Sequence, residues 1–217
     1  MSDMTLVIAN RNYSSWSLRA WLALEATGAP FDEVLVPLGE PDTRVAILRW
    51  SPSGRVPALR HGEVTVWDSL AISEHLAERF PDAGLWPQDP APRAVARSVT
   101  AEMHSGFTAL RSNMPMNLRA SRPGAGRAPG VDEDIERIVA IWERCRRDHG
   151  GAGDLLFGGF TIADAAFAPV VGRFRTYGVA PGGAAEAYMD AIWALPTMQT
   201  WVEAARAEPW TLPKYER

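Results

Sequence analysis

Residues 51–80, SPSGRVPALRHGEVTVWDSLAISEHLAERF, constrain the fold more than any other stretch of the chain. Ser51-Pro52-Ser53-Gly54 cannot continue a helix, so the element before it stops there. Val56-Pro57 opens a short apolar run, Ala58-Leu59, and proline at the first residue of a strand costs no ladder bond. His61-Gly62-Glu63 reads as a tight turn and 64–67 as a second short strand, which predicts an antiparallel hairpin over 58–67. Asp68 and Ser69 both start helices well, and Leu70, Ile72, Leu76 and Phe80 follow with the spacing of one apolar helical face. A helix N-terminus with a serine hydroxyl and free backbone N–H groups can hold a carboxylate, although the same signals describe an ordinary capped helix.

Upstream, residues 5–9 form a continuous apolar run typical of a buried strand, and a polar turn over 10–15 follows. Leu18, Trp21, Leu22 and Leu24 recur at helical spacing until Gly28 and Pro30 end the pattern. Residues 31–36 read as a second strand, so the first three elements make a βαβ unit with parallel strands. A short helix over 44–50 completes the order β-α-β-α-β-β-α, a thioredoxin-like arrangement over residues 1–84. Pro87, Pro90 and Pro92 mark 85–92 as a linker. From 93 to 217 the apolar residues recur at helical spacing over 95–118, 133–147, 162–177, 184–194 and 197–207, which predicts an all-helical second domain. Thr161-Ile162-Ala163-Asp164 is a capping-box variant that starts the helix at 162 for structural reasons.

The apolar fraction of 47% over 217 residues is enough for real cores, and the net charge of −4 argues against a nucleic-acid surface. Arg144, Arg146 and Arg147 lie beside acids on the polar side of a helix, a solvated face. No run reaches about 18 apolar residues and no secretory pattern opens the sequence, so membrane spanning and secretion are not expected. The single cysteine, Cys145, excludes an internal disulfide and fits a cytoplasmic setting. No cluster has metal-ligand spacing; His104 stands alone.

The pattern Ser-Pro-x-Gly-Arg-Val-Pro-Ala-Leu, then Asp-Ser-x-Ala-Ile-x-x-x-Leu, resembles the glutathione-binding segment of the glutathione S-transferase family. The Thr161/Asp164 helix start and the order of elements extend that resemblance over both halves of the chain. It implies that Arg55, Val56 and Pro57 border the cysteinyl part of glutathione, with Pro57 cis in the family, and that Asp68 and Ser69 hold the γ-glutamyl end. It also implies a homodimer, and glutathione as co-substrate without a metal.

Such an enzyme needs a hydrogen-bond donor at the glutathione sulfur, because the thiolate is the nucleophile. The family keeps that donor in the first strand-to-helix turn. Ser14, five residues before Arg19, matches the spacing of the serine-using and cysteine-using classes. Ser15 matches a four-residue spacing in another serine class, and Tyr13 offers a phenol; both stay open as alternates. Arg19 reads as electrostatic support. Met103, His104, Phe107 and Arg111, on the long helix after the linker, are the expected wall of the electrophile pocket. Ser14-Ser15-x-Ser17 looks most like the zeta class, whose members isomerise maleylacetoacetate, but Trp16 replaces the cysteine of that class. The expected activity is therefore conjugation of glutathione to small hydrophobic electrophiles. The alternatives are glutathione-dependent cis-trans isomerisation and ligand binding without catalysis.

Overall fold

The computed structural model describes residues 2–216. Its N-terminal half runs β1 (Met4–Ile8), α1 (Ser15–Glu25), β2 (Asp32–Leu35), α2 (Thr43–Leu48), β3 (Ala58–His61), β4 (Val64–Val66) and α3 (Ser69–Arg79). The strands form one sheet in the order β2-β1-β3-β4. β1 pairs with β2 in parallel, Thr5 opposite Asp32, and with β3 in antiparallel, Leu6 opposite Leu59. The predicted hairpin is present, with Leu59 opposite Val66 and Gly62 in the left-handed region at φ 56°, where a side chain is strained. Alternation along β1 sorts its side chains between two layers. Leu6 and Ile8 join the main core with α1 and α3, whereas Val7 meets Ile47 of α2, Val36 and Ala58 on the opposite face. This is the thioredoxin-like arrangement read from the element order.

The second half is helical: α4 (Pro90–Ser105), α5 (Thr108–Asn113), α6 (Val131–His149), α7 (Ile162–Tyr177), α8 (Gly183–Ala194) and α9 (Pro196–Ala207). α4 begins within the proline-rich stretch, with Pro90 at its first position, where a missing N–H is harmless. The single helix expected over 95–118 is two helices. Gly106 passes so close to Glu102 that a Cβ there would lie 2.8 Å from its carbonyl oxygen, and Phe107 is left-handed at φ 59°, so the chain turns between α4 and α5.

α7 is buried along almost its whole length, and α1 and α4 both pack against it. Its Asp164 accepts hydrogen bonds from the Thr161 N–H at 2.8 Å, the Thr161 hydroxyl at 2.9 Å and the Leu156 N–H at 3.2 Å. These are the partners a buried carboxylate requires. One apolar core, from Leu6 through Phe167 to Val202, crosses both halves, so the sheet and the helical bundle share an interior. Among the described residues no helix is long and apolar enough to cross a membrane.

Candidate active site

The turn between β1 and α1 is pinned from the helical half. Glu208 accepts the Arg11 and Asn12 N–H groups at 2.6 and 3.2 Å. The Asn12 side chain donates to Asn117 at 2.9 Å and accepts from the Arg119 N–H at 2.9 Å. Ser14 follows as the N-cap of α1. Its Oγ accepts the Ser17 N–H at 3.3 Å and lies 2.7 Å from the Ser17 Oγ. Ser14 is 7% exposed and Ser15, the first helical residue, 9%. The Ser15 hydroxyl has no hydrogen bond among the described residues, whereas the Tyr13 phenol is fully engaged. It donates to Glu216 Oε1 at 2.6 Å, accepts from Arg119 at 2.9 Å and from the Leu212 N–H at 3.3 Å, and its ring stacks on Tyr215.

Ser14 and Ser15 open on a cleft of about 540 Å³ between the two halves, bordered also by Arg55, Val56, Arg111, Arg173 and Lys214. An adjoining cleft of about 420 Å³ shares Trp16, Arg55 and Val56 with it and continues to Pro57, Trp67, Asp68 and Ser69. The two together make one groove from the start of α1 to the start of α3. The Val56-Pro57 bond at its centre is cis, and the Val56 N–H and C=O make no backbone hydrogen bond among the described residues. At the far end Asp68 caps α3, accepting the Leu70 N–H at 2.9 Å, and its other oxygen meets His104 Nε2 at 3.0 Å. Burial, opposed by Asp68, holds the His104 pKa below its ordinary value. Imidazole at neutral pH is then uncharged and must carry its proton on Nε2 to bond a carboxylate.

The predicted pocket residues separate. Met103 is fully buried in the core and Phe107 nearly so, neither borders the large cleft, and His104 borders a small gap between α3, α4 and α7. Arg111 does border the cleft. Its guanidinium donates to the His104 and Gly106 carbonyls at 3.0 and 3.2 Å and stacks 4.4 Å from the centre of the Trp16 ring. Arg19 stacks on the same ring at the same distance. Arg19 is buried, two of its guanidinium nitrogens have no partner, and burial, with Arg111 and Arg173 nearby, lowers its pKa well below the ordinary value. Arg173, held by the Met114 carbonyl at 2.9 Å, is lowered by burial to about 10 and stays charged at neutral pH. Arg173, Lys214 and Tyr215 were not in the predicted site. Arg173 and Arg175 both follow Pro169 in the sequence, though not at the spacing of the arginine that the resemblance to the zeta class implies, and the segment carrying Lys214 has no periodicity to read. Cys145 is buried, with its thiol pushed up to about 11, so it is no nucleophile. Among the described residues no cluster of His, Cys, Asp or Glu could hold a metal ion.

Residues 13–79 match the N-terminal domain of glutathione S-transferases and residues 94–205 match the C-terminal domain. The chain belongs to the glutathione S-transferase family. It is 28% identical over 175 residues to a probable maleylacetoacetate isomerase of Caenorhabditis elegans, covering 79% of each chain. It is 30% identical over 141 residues to glutathione S-transferase 1 of Dianthus caryophyllus, covering 64% of this chain and 63% of that one. A glutathione transferase homologue from Burkholderia, solved with bound glutathione, superposes with a TM-score of 0.70 at 26% identity, over 94% of this chain and 98% of that one. A Tau-class glutathione transferase from mango shares the fold, with a TM-score of 0.73 at 18% identity, over 99% of this chain and 96% of that one. In this glutathione S-transferase family member the larger cleft thus lies between the two matched domains, and the adjoining one is lined by the first alone.

Proposed function

We propose that this chain is a glutathione transferase that lays glutathione along the groove, its cysteinyl backbone on Val56, its γ-glutamyl end at Asp68 and Ser69, and its sulfur at Ser14. The observation that carries the reading is the Ser14 hydroxyl, which stands at a helix N-terminus with no acid in the first turn and borders the same cleft as Val56. The unpaired Val56 N–H and C=O suit an extended peptide added like a strand. Lowering a thiol pKa from about 8.5 to about 6.5 takes roughly 2.7 kcal/mol of preference for the anion. One hydrogen bond to a charged group supplies about 1.5–3 kcal/mol and a helix N-terminus about 0.3–1. Ser14 and α1 together are sufficient. The sulfur then attacks the electrophile as a thiolate, its proton having gone to solvent. Within this proposal residues 1–84 bind glutathione, 85–92 connect, and 93–217 supply the electrophile wall; Met1 and Arg217 lie outside the described residues.

A second reading, glutathione-dependent isomerisation, is favoured by the charge of the cleft. Arg55, Arg111, Arg173 and Lys214 border it and no carboxylate does, which suits an electrophile bearing carboxylates better than a neutral apolar one. The nematode relative's name points the same way.

Calorimetric titration with glutathione, followed by turnover of neutral and carboxylate-bearing electrophiles with glutathione measured at the end, tests both. A transferase consumes glutathione one for one; an isomerase leaves it unchanged. Binding without turnover makes the chain a ligand-binding protein, and no binding removes the proposal. A homodimer belongs to the same reading, with the exposed Val45, Leu48, Val64 and Trp67 as apolar surface available for pairing. Light scattering at micromolar concentration giving the 23.8 kDa of one chain would refute it.

A further inference from the structure

The hydroxyl of Ser17 is fully buried one turn into α1, and its oxygen accepts the Ala9 N–H at 3.0 Å. It also lies 2.7 Å from the Ser14 oxygen, a pair in which either atom can donate. Donor and acceptor counting decides the direction. Each hydroxyl has one proton and two lone pairs. If Ser14 donated to Ser17, both Ser17 lone pairs would be filled and its proton would have no acceptor among the described residues, although the side chain is fully buried. An unmade buried donor is the costlier arrangement. If Ser17 donates to Ser14, every Ser17 group but one lone pair is used. The Ser14 oxygen is then filled as well, by the Ser17 O–H and the Ser17 N–H at 3.3 Å.

We infer that Ser17 is a positioning residue that forces Ser14 to act as a donor only. The Ala9 amide, the Ser17 hydroxyl and the Ser14 hydroxyl form a one-way chain of hydrogen bonds ending at the cleft. The only valence left on Ser14 is its proton, which turns outward. Such a chain polarises each bond toward its end and so strengthens the last one. It also favours one protonation state of the ligand. A thiol brought to Ser14 finds no lone pair to accept its S–H, whereas a thiolate finds a proton already aimed at it. Ser14 therefore takes no proton from the thiol; the proton leaves to water and the sulfur keeps its electron pair. The inference rests on the reading of Ser14 as the group at the glutathione sulfur.

The test compares the pH profile of kcat with chlorodinitrobenzene at saturating glutathione for the parent protein and for Ser14→Ala, Ser17→Ala and the double variant, with glutathione affinity by calorimetry and Tm alongside. Ser17→Ala should move the acid limb up by about half a pH unit, roughly a threefold loss at neutral pH recovered at higher pH, with glutathione affinity within about threefold of the parent. The double variant should be no worse than Ser14→Ala alone, because the chain has no effect without its last member. A Ser17→Ala protein with a lower Tm and an unmoved profile, beside a Ser14→Ala protein whose profile does move, overturns the role of Ser17 and leaves Ser14 standing. An unmoved profile in Ser14→Ala overturns the reading of Ser14 and the inference with it. If Ser17→Ala does not fold, Ser17→Cys, which keeps the size and a weaker donor, decides: an alkaline shift supports the chain of bonds and an unchanged profile refutes it.

Discussion

Two helices begin beside the groove, and they begin differently. α1 starts at a neutral, buried Ser14, with no acid in its first turn and with Arg19, Arg111 and Arg173 nearby. α3 starts at Asp68, half-exposed, whose carboxylate accepts hydrogen bonds from the Leu70 N–H and from His104 Nε2–H. A helix N-terminus carries roughly half a positive charge. At α1 that charge is left open, and at α3 the cap residue answers it. One local device thus yields two electrostatic preferences. The α1 end favours a full anion, such as a thiolate. On the proposed function the α3 end would take a zwitterion, with its ammonium at Asp68 and its carboxylate at Ser69 and the helix N–H groups.

Breaking the α3 end should have the largest effect. Ser69→Ala is expected to weaken glutathione binding by about 1.5–3 kcal/mol without unfolding the protein, because a carboxylate loses a charge-assisted partner. Calorimetry on the folded variant that returns the parent affinity removes the α3 assignment. Breaking the α1 end should separate binding from activation. Ser14→Ala should keep most of the glutathione affinity while the bound thiol pKa rises by about one to two units and the rate at neutral pH falls about 10- to 100-fold. Ser15→Ala should do much less; the reverse order makes Ser15 the donor, and an effect in Tyr13→Phe alone makes it the phenol.

A smaller change sharpens the contrast by making α1 resemble α3. Ser15→Asp puts an acid into the first turn of α1, and the bound thiol pKa, read by thiolate absorbance, should rise by about half a unit. A fall would mean that the open helix end is not what favours the anion. The smallest expected effect is at His104. Its pKa is lowered in the fold, chiefly by burial, so the folded protein binds fewer protons than the unfolded chain just below pH 6.5. Its contribution to stability is complete above about 6.5 and is lost as the pH falls through the folded value. His104→Asn should flatten the fall of Tm on that acid side while leaving Tm at pH 8 nearly unchanged; parallel curves would exclude His104 as the titrating group.

The α3 end of the groove was legible in the sequence because its signals are local. Pro57, Gly62 and the Asp68-Ser69 pair each restrict their own backbone, and the structure has the turn, hairpin and cap at those positions. The α1 end was legible only as a short list, since Tyr13, Ser14 and Ser15 are all plausible donors in a turn. What sets the phenol apart from the two serines is long-range: Glu216 and Arg119 engage the Tyr13 hydroxyl from more than a hundred residues away. The break between α4 and α5 was hidden because apolar residues keep helical spacing through Gly106, and the reason for the turn lies in the close approach to Glu102. The cationic wall was visible only in part, as Arg55 and Arg111. Arg111, Arg173 and Lys214 come from α5, α7 and the segment after α9, and folding alone brings them together.

Trp16 belongs to both clefts of the groove, with two guanidinium groups 4.4 Å from its ring and the His104 imidazole edge-on at 5.0 Å. Trp67 also borders the groove, whereas Trp142 and Trp201 are shut in the core. An emitter held among cations and a neutral imidazole is sensitive to any charge that arrives beside it. The protein therefore carries its own optical gauge of occupancy in two indoles, Trp16 among the cations and Trp67 near the α3 end, and a Trp16→Phe protein should lose the Trp16 share of the ligand-dependent fluorescence change while still binding.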